Sequence, residues 1–407
     1  MLISDLDMAK VTTIGAASSQ PDREEMLARA AAMTPRLLER AEHVENTRMI
    51  HPDTVQDFWD TQLWSILKPK RYGGLELDFG TVIDIPDHIG RGCGSTAWIY
   101  TNLICHDWML PMWQAAAQDA VWKDNPQALI ASSLVVTAGC AKSVSGGFEL
   151  SGRWPYCSGI DPSDWMMIGA MIDDEGPKRP LWLVAPRGEF EEIDTWQVTG
   201  LVGTGSRDVQ CEGLFVHDYM TLEPRETRGG STPGTPHVPG LLYQLPVLGI
   251  FPHFLVGPMV GIAQGAYDDY VGEIRERVST HNASKLAEHT QVQVKVAEAG
   301  ALIQAARLLS HANIREAEQI AQSGRQPSVE EKVCWRRDGA YAAQNCVKSI
   351  QLLQSVIGAA GNYLSNPFQR RFRDLHAAAG QIQVNFDING AEFGRVALGL
   401  EPVNKAI

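Results

Sequence analysis

Three arginines near the C-terminus follow a glycine-lined break between two helical patterns. Apolar residues at three- and four-residue steps predict a helix that passes through Ile350 and ends at Gly358. Asn366-Pro367 is typical of a new helix start. The charged residues that open this second helix are Arg370, Arg371, Arg373 and Asp374. Guanidinium groups bind phosphate and glycines admit a ligand close to the backbone, so the pattern indicates either a phosphate site or a helix corner.

Composition excludes several classes of protein. The chain has 407 residues, of which 44% are hydrophobic and 20% charged, as is typical of a globular protein. A net charge of -13 argues against a nucleic-acid partner, because no basic surplus can neutralise phosphates. The seven cysteines form no C-x-x-C pair, which indicates free thiols, no metal site and a cytoplasmic location. No stretch of about 18 uninterrupted apolar residues predicts a membrane span.

The patterns divide the chain into five parts and predict an α+β fold. The predicted parts are a flexible tail (1–22), an N-terminal helical domain (23–125), a central β domain (126–223), a loop or linker (224–242) and a C-terminal four-helix bundle (243–407). Within the first helical domain, one helix is predicted from Ser95 to Trp122. The four bundle helices are predicted near 253–278, 284–323, 329–358 and 367–396.

The middle of the chain reads as a β-barrel or sandwich of about six or more short strands. Gly146-Gly147 separates two extended arms and predicts a hairpin. Apolar runs at Trp165–Ile172, Phe190–Val198 and Asp208–Val216 predict further strands. No P-loop is visible and no G-x-G-x-x-G follows a strand, so a dinucleotide fold of the Rossmann type is not indicated.

The order of these parts and their motifs resemble the acyl-CoA dehydrogenase superfamily. The break at Gly358, followed by Arg370 to Asp374, resembles its C-terminal signature. GRWPYCSG, from Gly152 to Gly159, resembles its flavin strand, and GTGSRD, from Gly203 to Asp208, resembles the loop before its last strand. The resemblance covers nearly the whole chain from about residue 25.

Two departures distinguish the branch. Residues 381–390 lack the glutamate motif of the acyl-CoA dehydrogenases, and residues 132–140 lack their T-E-x-x-x-G-S-D text. The chain better resembles the two-component flavin-dependent monooxygenases, which include p-hydroxyphenylacetate hydroxylases and steroid-degrading phenol hydroxylases. It is similar to them in Trp154–Gly159, in His106–Leu110 and in the C-terminal ending. Gln381 stands where many members have histidine, and glutamine cannot titrate.

The resemblance implies an oxygenase component that receives reduced FMN, or FAD, from a separate NAD(P)H:flavin reductase. Such an enzyme uses O2 through a flavin C4a-hydroperoxide to hydroxylate a small aromatic or polycyclic substrate of phenol or indole type. A homotetramer in the cytoplasm is also implied, without nucleic-acid or membrane partners. The alternatives are a nitrogen or sulfur monooxygenase of the same fold, an acyl-CoA dehydrogenase or flavin oxidase, and a non-catalytic flavin-binding member.

The same resemblance supplies candidate site residues. The predicted catalytic residues are Ser158, Gln381 and His106. The predicted flavin-binding residues are Ser133, Trp154, Tyr156, Cys157, Ser158, Arg277 and Arg373. The predicted substrate-binding residues are His106, Trp108, His253 at the pocket mouth, and Gln381. For Arg373, a structural ion pair with Asp374 is the stronger interpretation.

Overall fold

The computed structural model describes residues 20–279, 283–404 and 407. Most of the predicted N-terminal tail therefore lies outside the described residues. The N-terminal helices are α1 (Arg23–Thr47), α2 (Pro52–Asp60), α3 (Thr81–Gly92), α4 (Gly94–Met109) and α5 (Ala115–Trp122). The single helix predicted from Ser95 to Trp122 is wrong, because the chain leaves α4 at Met109 through a short 3-10 turn that contains Pro111.

A single sheet of eight strands follows. The strands are β1 (Ile130–Ser133), β2 (Gly139–Val144), β3 (Gly147–Trp154), β4 (Trp165–Ile172), β5 (Arg179–Pro186), β6 (Glu191–Ile193), β7 (Asp208–His217) and β8 (Thr221–Leu222). Their order is β6-β7-β3-β2-β4-β5-β8, and β1 pairs with β4 in parallel. The predicted hairpin at Gly146-Gly147 is confirmed, since β2 and β3 are antiparallel neighbours joined there.

After β8, the described residues 223–246 form turns and short 3-10 helices, and six α-helices follow. They are α6 (Val247–Ile250), α7 (Pro252–Ile274), α8 (Thr290–Gln322), α9 (Val329–Ile357), α10 (Pro367–Ala379) and α11 (Phe386–Ala397). The predicted fourth bundle helix is thus two helices. Gly380 caps the C-terminus of α10, and the side chain of Asn385 accepts a hydrogen bond from the backbone N–H of Ile388 to begin α11.

The predicted corner after α9 is confirmed. Gly358 follows the last residue of α9 with φ of 71°, a left-handed value that glycine adopts without steric cost. Asn366 then caps α10 by accepting from the backbone N–H of Phe368, and Pro367 is its first residue. Segment 358–366 is called the elbow below.

Helix α7 is the central element of the core. Together with α6 it forms the span Val247–Ile274, which is long and apolar enough to cross a membrane by length and composition alone, but 83% of the most apolar window of this span is buried inside the protein. Helix α7 packs closely against α3, because a Cβ on Gly261 would lie only 2.4 Å from the carbonyl oxygen of Asp87. The apolar character of α7 therefore reflects its position between other helices of the protein.

Candidate functional site

The loop Gly200–Arg207, called the junction loop below, joins the sheet to both sets of helices. A Cβ on Gly200 would lie 2.2 Å from the carbonyl oxygen of Arg373 on α10, and one on Gly203 would lie 2.2 Å from Cγ1 of Val44 on α1. Both positions therefore require glycine for close approach. The backbone N–H of Leu201 donates to Oδ1 of Asp374 over 2.6 Å. The loop is fixed between α1 and α10.

The segment Tyr156–Gly159, which follows β3, lies directly on the junction loop. The backbone N–H of Cys157 donates to the carbonyl of Arg207 over 3.1 Å, and that of Gly159 donates to the carbonyl of Thr204 over 3.3 Å. Ser158 lies between these two bonds. Its side chain is 8% exposed, and its Oγ is 2.7 Å from Oγ of Ser206.

Strand β1 links two further candidate residues. Nδ1 of His106, in the last turn of α4, lies 2.7 Å from the carbonyl oxygen of Ile130, the first residue of β1. Oγ of Ser133, the last residue of β1, donates to the carbonyl of Pro155 over 2.7 Å. The two contacts are about 10 Å apart along the strand. The structure therefore places the contacts of His106 and Ser133 at opposite ends of β1, and Ser133 contacts Pro155, which lies three residues before Ser158.

Burial fixes the charge of two candidate groups. Desolvation lowers the pKa of His106 to about 4, against the opposing effect of its hydrogen bond to Ile130. The imidazole is therefore neutral at neutral pH. Because a carbonyl only accepts, the proton sits on Nδ1 and the lone pair on Nε2. Burial also raises the pKa of the Cys157 thiol well above its usual range, so this thiol stays protonated.

The two aromatic residues of the segment occupy different environments. Trp154 is fully buried, and its Nε1 donates to the carbonyl of Gly169 over 2.6 Å. Its ring lies in the core of the sheet and has no exposed face. The contact between Trp154 and a flavin stays a prediction. Tyr156 is 66% exposed and has φ of 65°, a strained value for a residue with a side chain. Its ring meets that of Trp196 edge to face.

Two predicted substrate-binding residues lie in the apolar interior. The indole of Trp108 packs against Phe79 and Phe254, and its Nε1 donates to the carbonyl of Leu242 over 2.7 Å. His253 is fully buried on α7 rather than at a pocket mouth, and burial lowers its pKa to about 4. The prediction that His253 lines the mouth of a pocket is therefore wrong.

Gln381 lies at the corner between α10 and α11. Its Oε1 accepts a hydrogen bond from the backbone N–H of Gln383 and so caps the intervening 3-10 turn. Its neighbours Ala379 and Val384 line a cavity of 610 Å³ between α9 and α11. The Nε2 amide group of Gln381 is not part of this cap, so its N–H groups can donate to another acceptor. The role of Gln381 in catalysis and substrate binding stays a prediction.

The arginines around the elbow bind carboxylates and carbonyls of the protein. Arg277 donates to the carbonyl of Ile357 over 2.8 Å and holds the end of α9. The predicted ion pair between Arg373 and Asp374 is wrong, because Arg373 pairs with Glu45 of α1 over 2.6 Å and donates to Thr199. These internal partners favour a structural role over a phosphate site.

Two hydroxyl residues of the junction loop were not among the predicted site residues. Oγ of Ser206 contacts both Ser158 and Oγ1 of Thr204, in each case over 2.7 Å. Both residues lie in the GTGSRD motif, which was noted as a family resemblance without a role for its hydroxyls, and they alternate with glycine in Gly203-Thr-Gly-Ser206. That pattern is also typical of a plain turn, so it could not identify them.

The side chains around Ser158 suit a flat heteroaromatic ring with a polar edge. Ser158 offers a buried hydroxyl, and Tyr156 offers an exposed aromatic ring two residues away. The strained backbone at Tyr156 is of the kind that occurs at ligand sites. The segment lies where the sheet meets both groups of helices, and junctions of this kind are common ligand sites. A flavin ring fits this description.

Comparisons with known proteins show the family of this chain. Residues 254–386 match the family model "Acyl-CoA dehydrogenase, C-terminal domain". The FADH(2)-dependent resorcinol hydroxylase oxygenase component of Rhizobium sp. is 30% identical over 93% of this chain and 95% of that protein. The flavin-dependent monooxygenase oxygenase subunit HsaA of Rhodococcus jostii is 31% identical over 86% of this chain and 92% of that protein.

A solved structure shows the same fold. The crystal structure of the HsaA monooxygenase from M. tuberculosis has a TM-score of 0.90 and 28% identity, and the match covers 95% of this chain and 100% of that one. The predicted α+β architecture is thereby confirmed over the 95% of this chain that the match covers. This chain belongs to the oxygenase components of flavin-dependent monooxygenases that have the acyl-CoA dehydrogenase fold.

Proposed function

We propose that this chain is the oxygenase component of a two-component monooxygenase that hydroxylates a small aromatic substrate of phenol or indole type. It uses O2 and reduced FMN, or FAD, delivered by a separate NAD(P)H:flavin reductase. The observation that carries the proposal is the segment Tyr156–Gly159, where a buried hydroxyl and an exposed aromatic ring stand side by side on the junction loop. Its relatives of similar length are hydroxylases of this class.

The residues of the segment bind and orient the cofactor. Reduced flavin, when bound, supplies the electrons that activate O2. Ser158 would contact the polar edge of the ring, and Tyr156 would pack near its face. Ser133 holds the carbonyl of Pro155 and so keeps the segment in place. The buried aromatic core behind the segment, including Trp154, excludes water from this side.

Two residues are proposed to act on the substrate. The neutral His106 has its lone pair on Nε2, because its Nδ1 proton is given to Ile130. A neutral imidazole can accept the hydroxyl proton of a phenol in a hydrogen bond. Gln381 uses Oε1 to cap its turn, so its N–H groups are the ones available to orient a substrate oxygen. Neither of these hydrogen bonds requires Gln381 to gain or lose a proton, which glutamine cannot do.

Association into a homotetramer and a cytoplasmic location complete the proposal. Leu364 and Leu398 are 82% and 81% exposed, which supports burial against further copies of the chain. All seven cysteines are free thiols, which suits a reducing compartment. Light scattering should give four times the mass of one chain. A fully active monomer would refute this part of the proposal.

The function is tested in air with the purified chain, a separate FMN reductase, FMN and NADH, against a panel of phenols, indoles and sulfides. We expect a hydroxylated phenol or indole product that requires the chain, the reductase, FMN and NADH. The same assay without the chain is the control, and it measures oxidation of the substrates by free reduced flavin and O2. Oxidation of a sulfide alone would favour the heteroatom alternative. A purified yellow protein that is bleached by an acyl-CoA, with no oxygenated product, would instead indicate a dehydrogenase.

A further inference from the structure

Three buried hydroxyls form a continuous chain that ends at a backbone carbonyl. Oγ of Ser158 is 2.7 Å from Oγ of Ser206, which is 2.7 Å from Oγ1 of Thr204. Oγ1 of Thr204 is 2.8 Å from the carbonyl oxygen of Leu201. The three side chains are 8%, 2% and 0% exposed in the same order. This set, Ser158, Ser206 and Thr204, is called the hydroxyl chain below.

The carbonyl at the end sets the direction of every hydrogen bond in the hydroxyl chain. A carbonyl only accepts, so the single hydroxyl proton of Thr204 is donated to Leu201. Thr204 can then only accept from Ser206, and Ser206 can only accept from Ser158. The reverse order would leave two oxygens 2.8 Å apart without a proton between them. Ser158 therefore donates to Ser206 and presents only lone pairs to any ligand.

The backbone around the hydroxyl chain is fixed on both sides. Cys157 and Gly159, which flank Ser158, each donate a backbone N–H to the junction loop, at 3.1 and 3.3 Å. The loop itself is held by Asp374, which accepts from Leu201 over 2.6 Å, and by Ser95, which accepts from Gly203 over 3.2 Å. The backbone of Ser158 therefore cannot move away from the junction loop without breaking these bonds.

We propose that Ser206 and Thr204 are positioning residues that hold Ser158 as a hydrogen-bond acceptor and so make the site select reduced over oxidised flavin. The inference rests on the proposed function, which places the flavin edge at Ser158. In reduced flavin the central ring nitrogen N5 carries a proton and donates. In oxidised flavin the same nitrogen has only a lone pair, and it would face the lone pairs of Ser158. The hydroxyl chain therefore favours one redox state of the ligand.

The test measures the dissociation constants of reduced and oxidised FMN anaerobically for the full-length protein. Ser206→Ala removes the acceptor of the Ser158 proton, which can then turn towards oxidised N5. Thr204→Val frees the Ser206 proton to point at Ser158, with the same result. Thr204→Ser keeps the hydroxyl and is the conservative control. Ser163→Ala is the matched control, because Ser163 is a buried hydroxyl that donates to the carbonyl of Gly159 outside the hydroxyl chain.

We expect the ratio of oxidised to reduced dissociation constants to fall about threefold to tenfold in Ser206→Ala and Thr204→Val, as for one hydrogen bond. The ratio should stay at the wild-type value in Thr204→Ser and Ser163→Ala. A purely structural role would weaken both forms equally and leave the ratio unchanged. That result in both test variants, or in the one that folds, would overturn the inference.

Failure of the proposed function gives a different result. In that case the wild-type protein binds neither form of FMN, or makes no oxygenated product with the reductase. The inference would then fall with it. If the wild type binds reduced FMN and forms product while the ratio in Ser206→Ala is unchanged, only the role of the hydroxyl chain is refuted. As a second readout, N5–H of bound ¹⁵N-labelled reduced FMN should exchange with water faster in Ser206→Ala than in the wild type.

Discussion

Asp374 is a single carboxyl whose protonation is coupled to the position of the junction loop. Its side chain is buried, and it accepts from the backbone N–H of Leu201. Burial raises its pKa from 3.8 to about 6, although the hydrogen bond from Leu201 opposes the rise. Folding therefore makes this group easier to protonate, and the ionised form at neutral pH is a cost to the folded state.

Asp374→Asn should flatten the pH dependence of stability in a defined window. Between pH 3.8 and about 6 the folded wild type holds a proton on this group that the unfolded chain has lost. The free energy of unfolding therefore falls as pH rises through this window. Asparagine keeps the acceptor for Leu201 and cannot titrate, so its curve lacks this fall. Urea unfolding at several pH values measures it, with the exposed Asp387→Asn as control, and parallel curves would contradict the expectation.

At the level of single residues, the sequence predicts the secondary-structure position of a residue better than it predicts which residues its side chain contacts. The motif from Gly152 to Gly159 was interpreted as a strand, and β3 indeed begins at Gly147 but ends at Trp154, so Ser158 lies in the turn that follows. The motif could not show that Trp154 points into the sheet or that Ser206 contacts Ser158. Arg370 pairs with Glu45, which is 325 positions away. Contacts across such separations depend on the whole fold and leave no local pattern.

At the level of elements, α10 is fastened to α1 by one carboxylate and two arginines. Glu45 binds Arg370 and Arg373, each over 2.6 Å. Burial alone would raise the pKa of Glu45, but the hydrogen bonds from the two arginines lower it overall. The contact therefore stabilises the folded protein above the usual glutamate pKa, and its contribution is lost as pH falls through the lowered value.

Glu45→Gln should destabilise the protein at neutral pH by about 1–3 kcal/mol, the range for hydrogen bonds to charged groups. The loss should shrink as pH falls below 4.5 and through the lowered pKa of the wild-type carboxylate. Chemical unfolding at pH 7 and at a series of lower pH values that passes through this range measures the change. Glu42→Gln, an exposed change on the same helix, is the control. Equal effects of the two substitutions would show that the ion pairs of Glu45 with Arg370 and Arg373 contribute nothing to the free energy of unfolding.

Helix boundaries show where local patterns stop being informative. The start of α10 at Asn366-Pro367 and the end of α9 before Gly358 were predicted correctly, because both have strong end signals. The break at Gly380 was missed, since one glycine inside a helical pattern is often tolerated. It is recognisable only once Gln381 and Asn385 are seen capping the turns that follow.

At the level of the whole molecule, a buried cation joins the N-terminal helices to the entrance of the sheet. Nζ of Lys68 donates to the carbonyl of Pro126 over 2.7 Å and lies 3.6 Å from the carboxylate of Asp107 on α4. Its ammonium also lies over the rings of Trp59 and Trp122. Burial lowers the pKa of Lys68 and raises that of Asp107, so each ion depends on the other.

Lys68→Met should destabilise the protein by about 3–5 kcal/mol, because it leaves Asp107 buried and unpaired. The double variant Lys68→Met/Asp107→Leu should recover most of this loss, since no ion then remains in the interior. Thermal and urea unfolding measure the change. Lys70→Met, at an exposed position two residues away, is the control. Equal stability of the Lys68 and Lys70 variants would refute a structural role for the pair.

The turn at Gln381 has a consequence for how members of this family diverge. The side-chain oxygen of Gln381 caps that turn, and elsewhere in the chain Nδ1 of His51 caps a helix in the same way, accepting from Asp53 over 3.2 Å. Glutamine and histidine can thus exchange at this position while the backbone keeps its course. A lineage can gain or lose an ionisable group at this corner between α10 and α11 in one amino-acid change, while the turn keeps its cap.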